Sequence, residues 1–205
     1  MENTMIELIK DKIMEMNEFS GVIKISKDKE VICEQAYGFA DIPNERMNNI
    51  STRFGIASGA KLLTAISICK LVQEGRLNFD TLLKEYIECN NFDENVTVKH
   101  LLTHTSGLPD YFYVDFNEIM PPMYMLKEPK DFLPLMLRQK SLFKAGEKYQ
   151  YNNGGYVILA YIVEKVSGMR FVDFIKEHIF DVLEMTSSGY FSMDMLPKNC
   201  AYGYE

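Results

Sequence analysis

The chain has 205 residues, of which 47% are hydrophobic and 25% are charged, a balance typical of an ordinary globular protein with one sizeable domain or two small ones. Its net charge of −7, with no basic cluster to offset it, argues against a surface that binds nucleic acid. No run of about 18 apolar residues is present, so we expect no helix that spans a membrane.

The cysteines and the N-terminus bear on cofactors and compartment. The four cysteines show neither CxxC nor metal spacing, so we expect no metal and no other cofactor: Cys33, Cys69, Cys89 and Cys200. Cys69 falls in an apolar helical pattern and is predicted to be a buried small hydrophobe. The N-terminus lacks the basic start and apolar core of a signal peptide. Free thiols without an export signal predict a cytoplasmic protein, unless a leader has been removed.

The first 53 residues predict a helix followed by a β-hairpin. An amphipathic helical pattern precedes two short strand patterns, Phe19 to Ser26 and Val31 to Gly38, which a polar turn at residues 27–30 joins. Residues 54–190 predict a mostly helical part, and residues 191–205 a segment that returns towards the start of the chain. Within the helical part, residues 111–129 are rich in Tyr, Phe and Met and are predicted to form a long irregular loop.

Ser58 and Lys61 stand at the start of the central helix, which is predicted over residues 58–74 and ends at Gly75. Residues three apart share a helix face, so the lysine can reach the serine hydroxyl. The helix N-terminus favours a developing alkoxide, and a lysine in apolar surroundings is a better proton acceptor. The pair therefore predicts a nucleophile with its base. The alternative is a capping serine beside a solvated lysine. Because the helix is apolar nearly all round, we expect it to be buried.

Tyr151 and Asn153 form a second group, just before another apolar helix at residues 154–166. A phenol and an amide two residues apart on a turning segment can enter the same cleft. A tyrosine beside an ammonium has its phenolate stabilised and can move protons. The alternative is a tyrosine ring in the core followed by two turn asparagines.

Taken together, Ser-x-x-Lys followed by Tyr-x-Asn resembles the serine β-lactamase and penicillin-binding protein superfamily, in particular its class C β-lactamase, DD-peptidase and esterase branch. Further stretches are similar to that branch in the same order: Lys70-Leu-Val-Gln-Glu-Gly-Arg-Leu77, Val96-Thr-Val-Lys-His-Leu-Leu-Thr-His-Thr-Ser-Gly-Leu-Pro-Asp110, Tyr151-Asn-Asn-Gly-Gly-Tyr156 and Ile162-Val-Glu-Lys-Val-Ser-Gly168. The resemblance covers roughly residues 19–204. It implies an α+β, β-lactamase/transpeptidase-like fold in which a helical subdomain follows an N-terminal helix and β-hairpin.

The resemblance also implies roles for the two groups. Ser58 would be the acylated nucleophile, Lys61 its proton acceptor, Tyr151 a partner base for Ser58 or for the deacylating water, and Asn153 the amide that orients substrate. His104, in the loop His104-Thr-Ser-Gly107, is predicted to be a structural buttress rather than a base. The departures from the family pattern remove no reacting group: Gly59 after the nucleophile, Ala145 where Pro is usual, and Asn152 where Ser is common.

A third motif of the superfamily, Lys or His followed by Thr or Ser and then Gly, supplies part of the oxyanion hole from a strand. No segment after Asn153 fits it. We therefore expect residues 1–205 to be an incomplete domain of this fold that lacks the C-terminal strands of its sheet. Such a domain would self-associate or recruit a second chain to complete the sheet.

Two functions remain open, and a third, a purely structural interaction domain, is disfavoured by the ordered set of polar residues. The first is a serine hydrolase that forms an acyl-enzyme with a β-lactam, a D-amino-acid peptide or an ester. The second is a fragment or pseudo-enzyme that binds such ligands without turnover. In either case the expected partner is a small-molecule or peptide substrate.

Overall fold

The structure, a computed structural model, describes residues 2–15, 19–88, 90–113 and 121–204. They form two compact units: one of residues up to 57 together with residues from 187 onward, and one of residues 58–186. Among the described residues, no helix is long and apolar enough to cross a membrane.

The first unit contains a helix and two small antiparallel sheets. Its elements are α1 (Glu2–Glu15), β1 (Gly21–Lys27), β2 (Glu30–Tyr37), β3 (Phe39–Asp41) and β4 (Arg46–Met47). Strand β1 pairs with β2, and β3 with β4. Asp28 and Lys29 both have positive φ, 50° and 71°, which matches the backbone twist of a tight two-residue hairpin turn. The predicted N-terminal helix and hairpin are therefore confirmed.

The last described residues lie against the first unit's own segments. Arg53 forms an isolated parallel bridge with Cys200. Its backbone N–H donates to Asn199 O, and its carbonyl accepts from Ala201 N, each at 2.8 Å. Tyr202 N donates to Ala40 O at 2.8 Å. These bonds tie residues 199–202 to Ala40 and Arg53 within this unit.

The second unit is helical. Its α-helices are α2 (Lys61–Gln73), α3 (Val98–Leu102), α4 (Pro129–Leu137), α5 (Asn153–Ser167) and α6 (Phe171–Ile175), which continues as a π-helical turn, Lys176–Phe180. Short 3₁₀ turns occur at Ala57–Ala60, Leu83–Glu85, Tyr111–Tyr113 and Met123–Met125. Helix α5 contacts α2, α3, α4 and α6. Its residues Ile158, Leu159, Ile162 and Val163 are buried, so it forms the centre of this unit's core.

Helix α2 differs from its predicted burial. Ile68 and Leu71 are fully buried, but Leu62 is 65% exposed, Ile66 is 39% exposed, and Cys69 is exposed. The exposed residues are four and three apart, so they form one stripe along the helix. The predictions that α2 is buried all round and that Cys69 is a buried hydrophobe are therefore wrong, because α2 packs on α5 and α6 and leaves the Leu62, Ile66 and Cys69 stripe exposed.

The predicted helix ends agree closely with the structure. Gly75 follows the end of α2 with φ of +68°, and Gly168 ends α5 with φ of +75°. In the region predicted as a short helix, residues 80–86, there is only the 3₁₀ turn Leu83–Glu85. The α+β class, with a helical part after the N-terminal helix and hairpin, is confirmed.

Candidate active site

The α-helix begins about one turn later than predicted: Lys61 is the first residue of α2, and Ser58 lies in the preceding 3₁₀ turn, Ala57–Ala60. The two remain three positions apart along one continuous turn, and Lys61 Nζ donates to Ser58 Oγ at 3.1 Å. Ala57 has φ of +44°, a left-handed conformation that is strained for a residue with a Cβ. Residues with strained backbone conformations cluster at active sites. Ala57 immediately precedes the exposed Ser58.

Asn152, which lies between Tyr151 and Asn153, fixes the start of helix α5. It is the N-cap of α5, and its Oδ1 accepts from Gly155 N at 2.6 Å, as a capping side chain does. Its Nδ2 donates to Leu108 O at 2.7 Å, and the residue is only 3% exposed. The cap therefore anchors the start of α5 to the 104–109 loop, and it holds Tyr151 and Asn153 on either side of a fixed residue.

The two groups meet at Ser58 and Lys61. The Tyr151 hydroxyl donates to Ser58 Oγ at 2.8 Å, and Lys61 Nζ donates to Asn153 Oδ1 at 2.8 Å. Lys61 Nζ also lies 4.9 Å from the centre of the Tyr151 ring, within the range of a cation–π contact. All four residues selected from the sequence therefore lie in one hydrogen-bonded cluster, carried by α2 and by the start of α5.

The electrostatics of the cluster favour an ionised tyrosine. The hydrogen bond with Lys61, and then that with Ser58, hold the pKa of Tyr151 below its ordinary value, against a smaller opposing effect of desolvation. The neighbouring Tyr111 and Tyr156 behave in the opposite way, because burial raises the pKa of each phenol. Tyr151 is thus the tyrosine of this cluster that most readily loses its proton and is present as phenolate.

His104 lies against the Tyr151 ring, with ring centres 4.6 Å apart. Its Nδ1 accepts from Asn152 N at 3.1 Å, and its carbonyl accepts from Gln150 N at 2.8 Å. Burial, and then the charge of Lys61, lower the pKa of His104, so the neutral ring that this acceptor role requires is favoured. These contacts hold the segment before α5 in place, in agreement with the predicted structural role.

Asp110 is a site residue that the sequence did not single out. It is 5% exposed, and its Oδ2 accepts from Asn153 N at 2.6 Å and from Asn153 Nδ2 at 3.2 Å. The only local signal is an acidic residue after Pro109, which also suits an ordinary turn. Within the described part of the chain, no group of His, Cys, Asp and Glu side chains is suited to hold a metal ion.

Comparisons with known proteins identify the family of this chain. The sequence model of the Beta-lactamase family matches residues 9–205. Penicillin-binding protein 4* of Bacillus subtilis (strain 168) is 28% identical over 207 residues, which cover 97% of this chain and 45% of that protein.

Among solved structures, a penicillin binding protein from Bacillus halodurans superposes with a TM-score of 0.86 at 43% identity, covering 95% of this chain and 59% of that one. An octameric penicillin-binding protein homologue from Pyrococcus abyssi has a TM-score of 0.78 at 30% identity, with 99% and 48% covered. The chain spans about half the length of these relatives. Because the family's sequence pattern runs through nearly all of the chain and its fold recurs in penicillin-binding proteins, this chain belongs to the Beta-lactamase family.

Proposed function

We propose that this chain carries the acylating centre of a serine hydrolase of the β-lactamase and penicillin-binding protein type, with Ser58 as nucleophile. The proposed substrates are a β-lactam, a D-amino-acid peptide or an ester. The single observation that carries the proposal is the environment of Ser58 Oγ, which lies 3.1 Å from Lys61 Nζ and 2.8 Å from the Tyr151 oxygen. A serine hydroxyl within hydrogen-bond reach of two groups able to move protons is an activated nucleophile.

In the first step, Ser58 Oγ forms a bond to the substrate carbonyl carbon, and its proton passes to Lys61 Nζ in the neutral amine form. The Ser58 backbone N–H is suited to stabilise the oxyanion that develops. The bond from the carbonyl carbon to the leaving nitrogen or oxygen then breaks, and the leaving group takes a proton from the Tyr151 hydroxyl. The product is an ester between the substrate acyl group and Ser58.

In the second step, the Tyr151 phenolate takes a proton from water, and the resulting hydroxide attacks the ester carbonyl. Lys61, now an ammonium, returns its proton to Ser58 Oγ as the ester bond breaks. The lowered pKa of Tyr151 suits this role, because a larger fraction of the phenol is ionised near neutral pH. Each group ends in the protonation state with which it began the cycle.

Asn153 supports the same reaction through its amide. Its Oδ1 accepts from Lys61 Nζ at 2.8 Å, which fixes the direction of the lysine side chain. The Asn153 Nδ2 atom carries two N–H groups, one of which donates to Asp110. The second N–H is available to donate to a substrate carbonyl, and we propose this as its role in orienting substrate.

Binding without turnover is the second candidate function. Residues 154–205 contain no match to the third motif that supplies an oxyanion donor in this superfamily, so residues 1–205 taken alone offer the Ser58 N–H as the oxyanion donor. A centre of this kind would acylate or release slowly while it still bound the same ligands.

Labelling kinetics distinguish the two functions. The chain would be incubated with a fluorescent penicillin and, separately, with a fluorescent fluorophosphonate, and both attachment and release would be followed. We expect attachment that Ser58→Ala abolishes and that Ser51→Ala, at an exposed serine in a turn, leaves intact. Attachment followed by penicillin release supports the hydrolase, and attachment without release, or saturable binding without a covalent adduct, supports the second candidate. Attachment that survives Ser58→Ala would contradict the proposal.

A further inference from the structure

Asp110 is a buried carboxylate whose hydrogen bonds converge on Asn153. Its Oδ2 accepts from both nitrogens of that residue, and its Oδ1 accepts from Phe112 N at 3.3 Å. Among the described residues, no lysine or arginine forms an ion pair with it. A carboxylate that is 5% exposed is costly unless donors compensate for its lost hydration, and Asn153 supplies two of the three donors found here.

The two partners of the Asn153 side chain fix its orientation. A carboxylate only accepts hydrogen bonds, so Asp110 selects the Nδ2 end of the amide, 3.2 Å away. Lys61 Nζ donates to the Oδ1 end, 2.8 Å away, which leaves the lone pair of the neutral amine free to take the proton of Ser58. Without Asp110, rotation of the amide by about half a turn would present N–H groups to Lys61 Nζ and lose that hydrogen bond.

We propose that Asp110 is a positioning residue for the acylation of Ser58, acting through the orientation of the Asn153 amide. This inference rests on the proposed function. The chain of contacts runs from the Asp110 carboxylate through the Asn153 amide to Lys61 Nζ and then to Ser58 Oγ. Each link depends on the one before it, so the effect of Asp110 on the reaction passes through Asn153.

A purely structural role is the alternative. Asn153 is the first residue of α5, so a carboxylate that accepts from its N–H also stabilises the helix N-terminus. That role requires only the backbone bond and predicts a loss of stability without a specific effect on Ser58. The bond to the side-chain amide is the contact that a helix-stabilising role does not need.

Asp110 also leaves an electrostatic signature at Tyr151. Its negative charge opposes the effect of Lys61 and raises the pKa of Tyr151. Removal of the charge should therefore lower the pKa of Tyr151 further. The rise in the rate of acyl-enzyme release with pH, which follows ionisation of Tyr151, should then move to lower pH. A change confined to helix stability would not shift the pH dependence of release.

The test measures the rate of Ser58 labelling by a fluorescent fluorophosphonate, with thermal unfolding measured for every variant. Asp110→Asn and Asn153→Ala should each slow labelling by about 10- to 100-fold, the range expected for a misplaced catalytic group. Once Asn153→Ala is present, Asp110→Asn should slow labelling by less than about twofold more, because residues that act through one contact are not additive. Asp93→Asn is the matched control, because Asp93 also accepts from backbone N–H groups, of Asn95 and Ala145, away from this cluster.

Asp110→Glu is the second variant, because it keeps the negative charge but displaces the carboxylate by one methylene. We expect slower labelling in a folded protein. Normal labelling in Asp110→Glu or Asp110→Asn, fully additive losses with Asn153→Ala, or failure of both Asp110 variants to fold would each overturn the proposal. Labelling that persists in Ser58→Ala would instead show that the proposed function itself is wrong, so the two failures are distinguishable.

Discussion

Ser58 Oγ has hydrogen-bond partners from two segments that are far apart in the chain, Lys61 from its own turn and Tyr151 from the start of α5. The lysine contact is built into the helix, since residues three apart share a face. The tyrosine contact depends on the fold, since it joins residues 93 positions apart. The proposed reactivity of the serine therefore depends on both local geometry and tertiary packing.

Removal of either partner should slow the reaction without unfolding the chain. We expect Lys61→Ala and Tyr151→Phe each to lower acylation or deacylation by about two to four orders of magnitude, the usual contribution of a general base. Stability should change little, because Tyr151 is 44% exposed and phenylalanine keeps its ring against His104. Rapid-mixing kinetics of label attachment and release would measure both steps.

Lys70→Ala is the control for these two variants. Lys70 lies on the same helix as Lys61, but it pairs with Glu74 and not with the cluster. The control should react at the normal rate. Near-normal kinetics in a folded Lys61→Ala or Tyr151→Phe sample would show that the corresponding role is wrong.

The pH dependence of acyl-enzyme release should report the ionisation of Tyr151. The hydrogen bond from Lys61 lowers the pKa of this phenol, and the phenolate is the form that accepts a proton from water. Release should therefore accelerate as pH rises through that pKa, with a midpoint below the ordinary tyrosine value of 10.0. This acceleration of release with pH should disappear in Tyr151→Phe and persist in Tyr149→Phe, at a neighbouring exposed tyrosine. An acceleration that is unchanged in Tyr151→Phe would assign the titration to another group.

At the scale of elements, the 104–109 loop supports the start of α5. Leu108 O accepts from Asn152 Nδ2, and His104 Nδ1 accepts from Asn152 N. At Gly107 the loop also packs closely on Leu142, whose backbone N–H donates to Gly107 O at 2.8 Å. The position of Tyr151 and Asn153 therefore depends on a loop that is more than 40 residues away in the chain.

Gly107→Ala should test this support. Gly107 has φ of +71°, and an added Cβ would lie 2.1 Å from Phe143 O, so both strain and a backbone clash would oppose the substitution. Gly75→Ala is the matched control, because Gly75 has φ of +68° with no atom within 4 Å of an added Cβ. We expect Gly75→Ala to lower the free energy of unfolding by about 1 kcal/mol, and Gly107→Ala to lower it by about 2 kcal/mol more. Denaturant unfolding would measure both changes, and equal losses would contradict the close packing of the loop.

The features that the sequence predicted well are those that depend on local chemistry. The hairpin turn, the spacing of Ser58 and Lys61, and the left-handed glycines after α2 and α5 all follow from a few neighbouring residues. The burial of α2 was predicted wrongly because the exposure of Leu62 and Ile66 depends on which elements pack against the helix. Asp110 was missed because its partner Asn153 is 43 positions away, and neither residue carries a sign of the other in a single sequence.

At the scale of the whole molecule, the exposed stripe on α2 is a surface able to associate. Leu62, Ile66 and Cys69 lie on one side of the helix and are accessible to solvent. Exposed apolar groups of this kind favour contact with other chains in solution. This surface is a second candidate for self-association, separate from the incomplete sheet on which the sequence-based prediction rests.

If the 205-residue chain self-associates through this stripe, replacement of Leu62 and Ile66 by glutamine should reduce the association. Loss of two exposed apolar side chains removes the driving force for contact but disturbs little of the core, so thermal unfolding should change little. Val182→Gln with Leu183→Gln is the matched control, because those side chains are 69% and 62% exposed outside α2. Light scattering across a concentration series would compare the two pairs. Equal self-association of both variants and the unchanged chain would show that the stripe is not the associating surface.

The most direct test of the account is to locate the covalent adduct. The chain would be treated with a fluorophosphonate or a β-lactam, digested, and mapped by tandem mass spectrometry beside Ser58→Ala. The account predicts one modified residue, Ser58, and no adduct in Ser58→Ala, because Ser58 alone in the described cluster has a hydroxyl placed between Lys61 and Tyr151. An adduct on another residue, or one that persists in Ser58→Ala, would contradict the central claim.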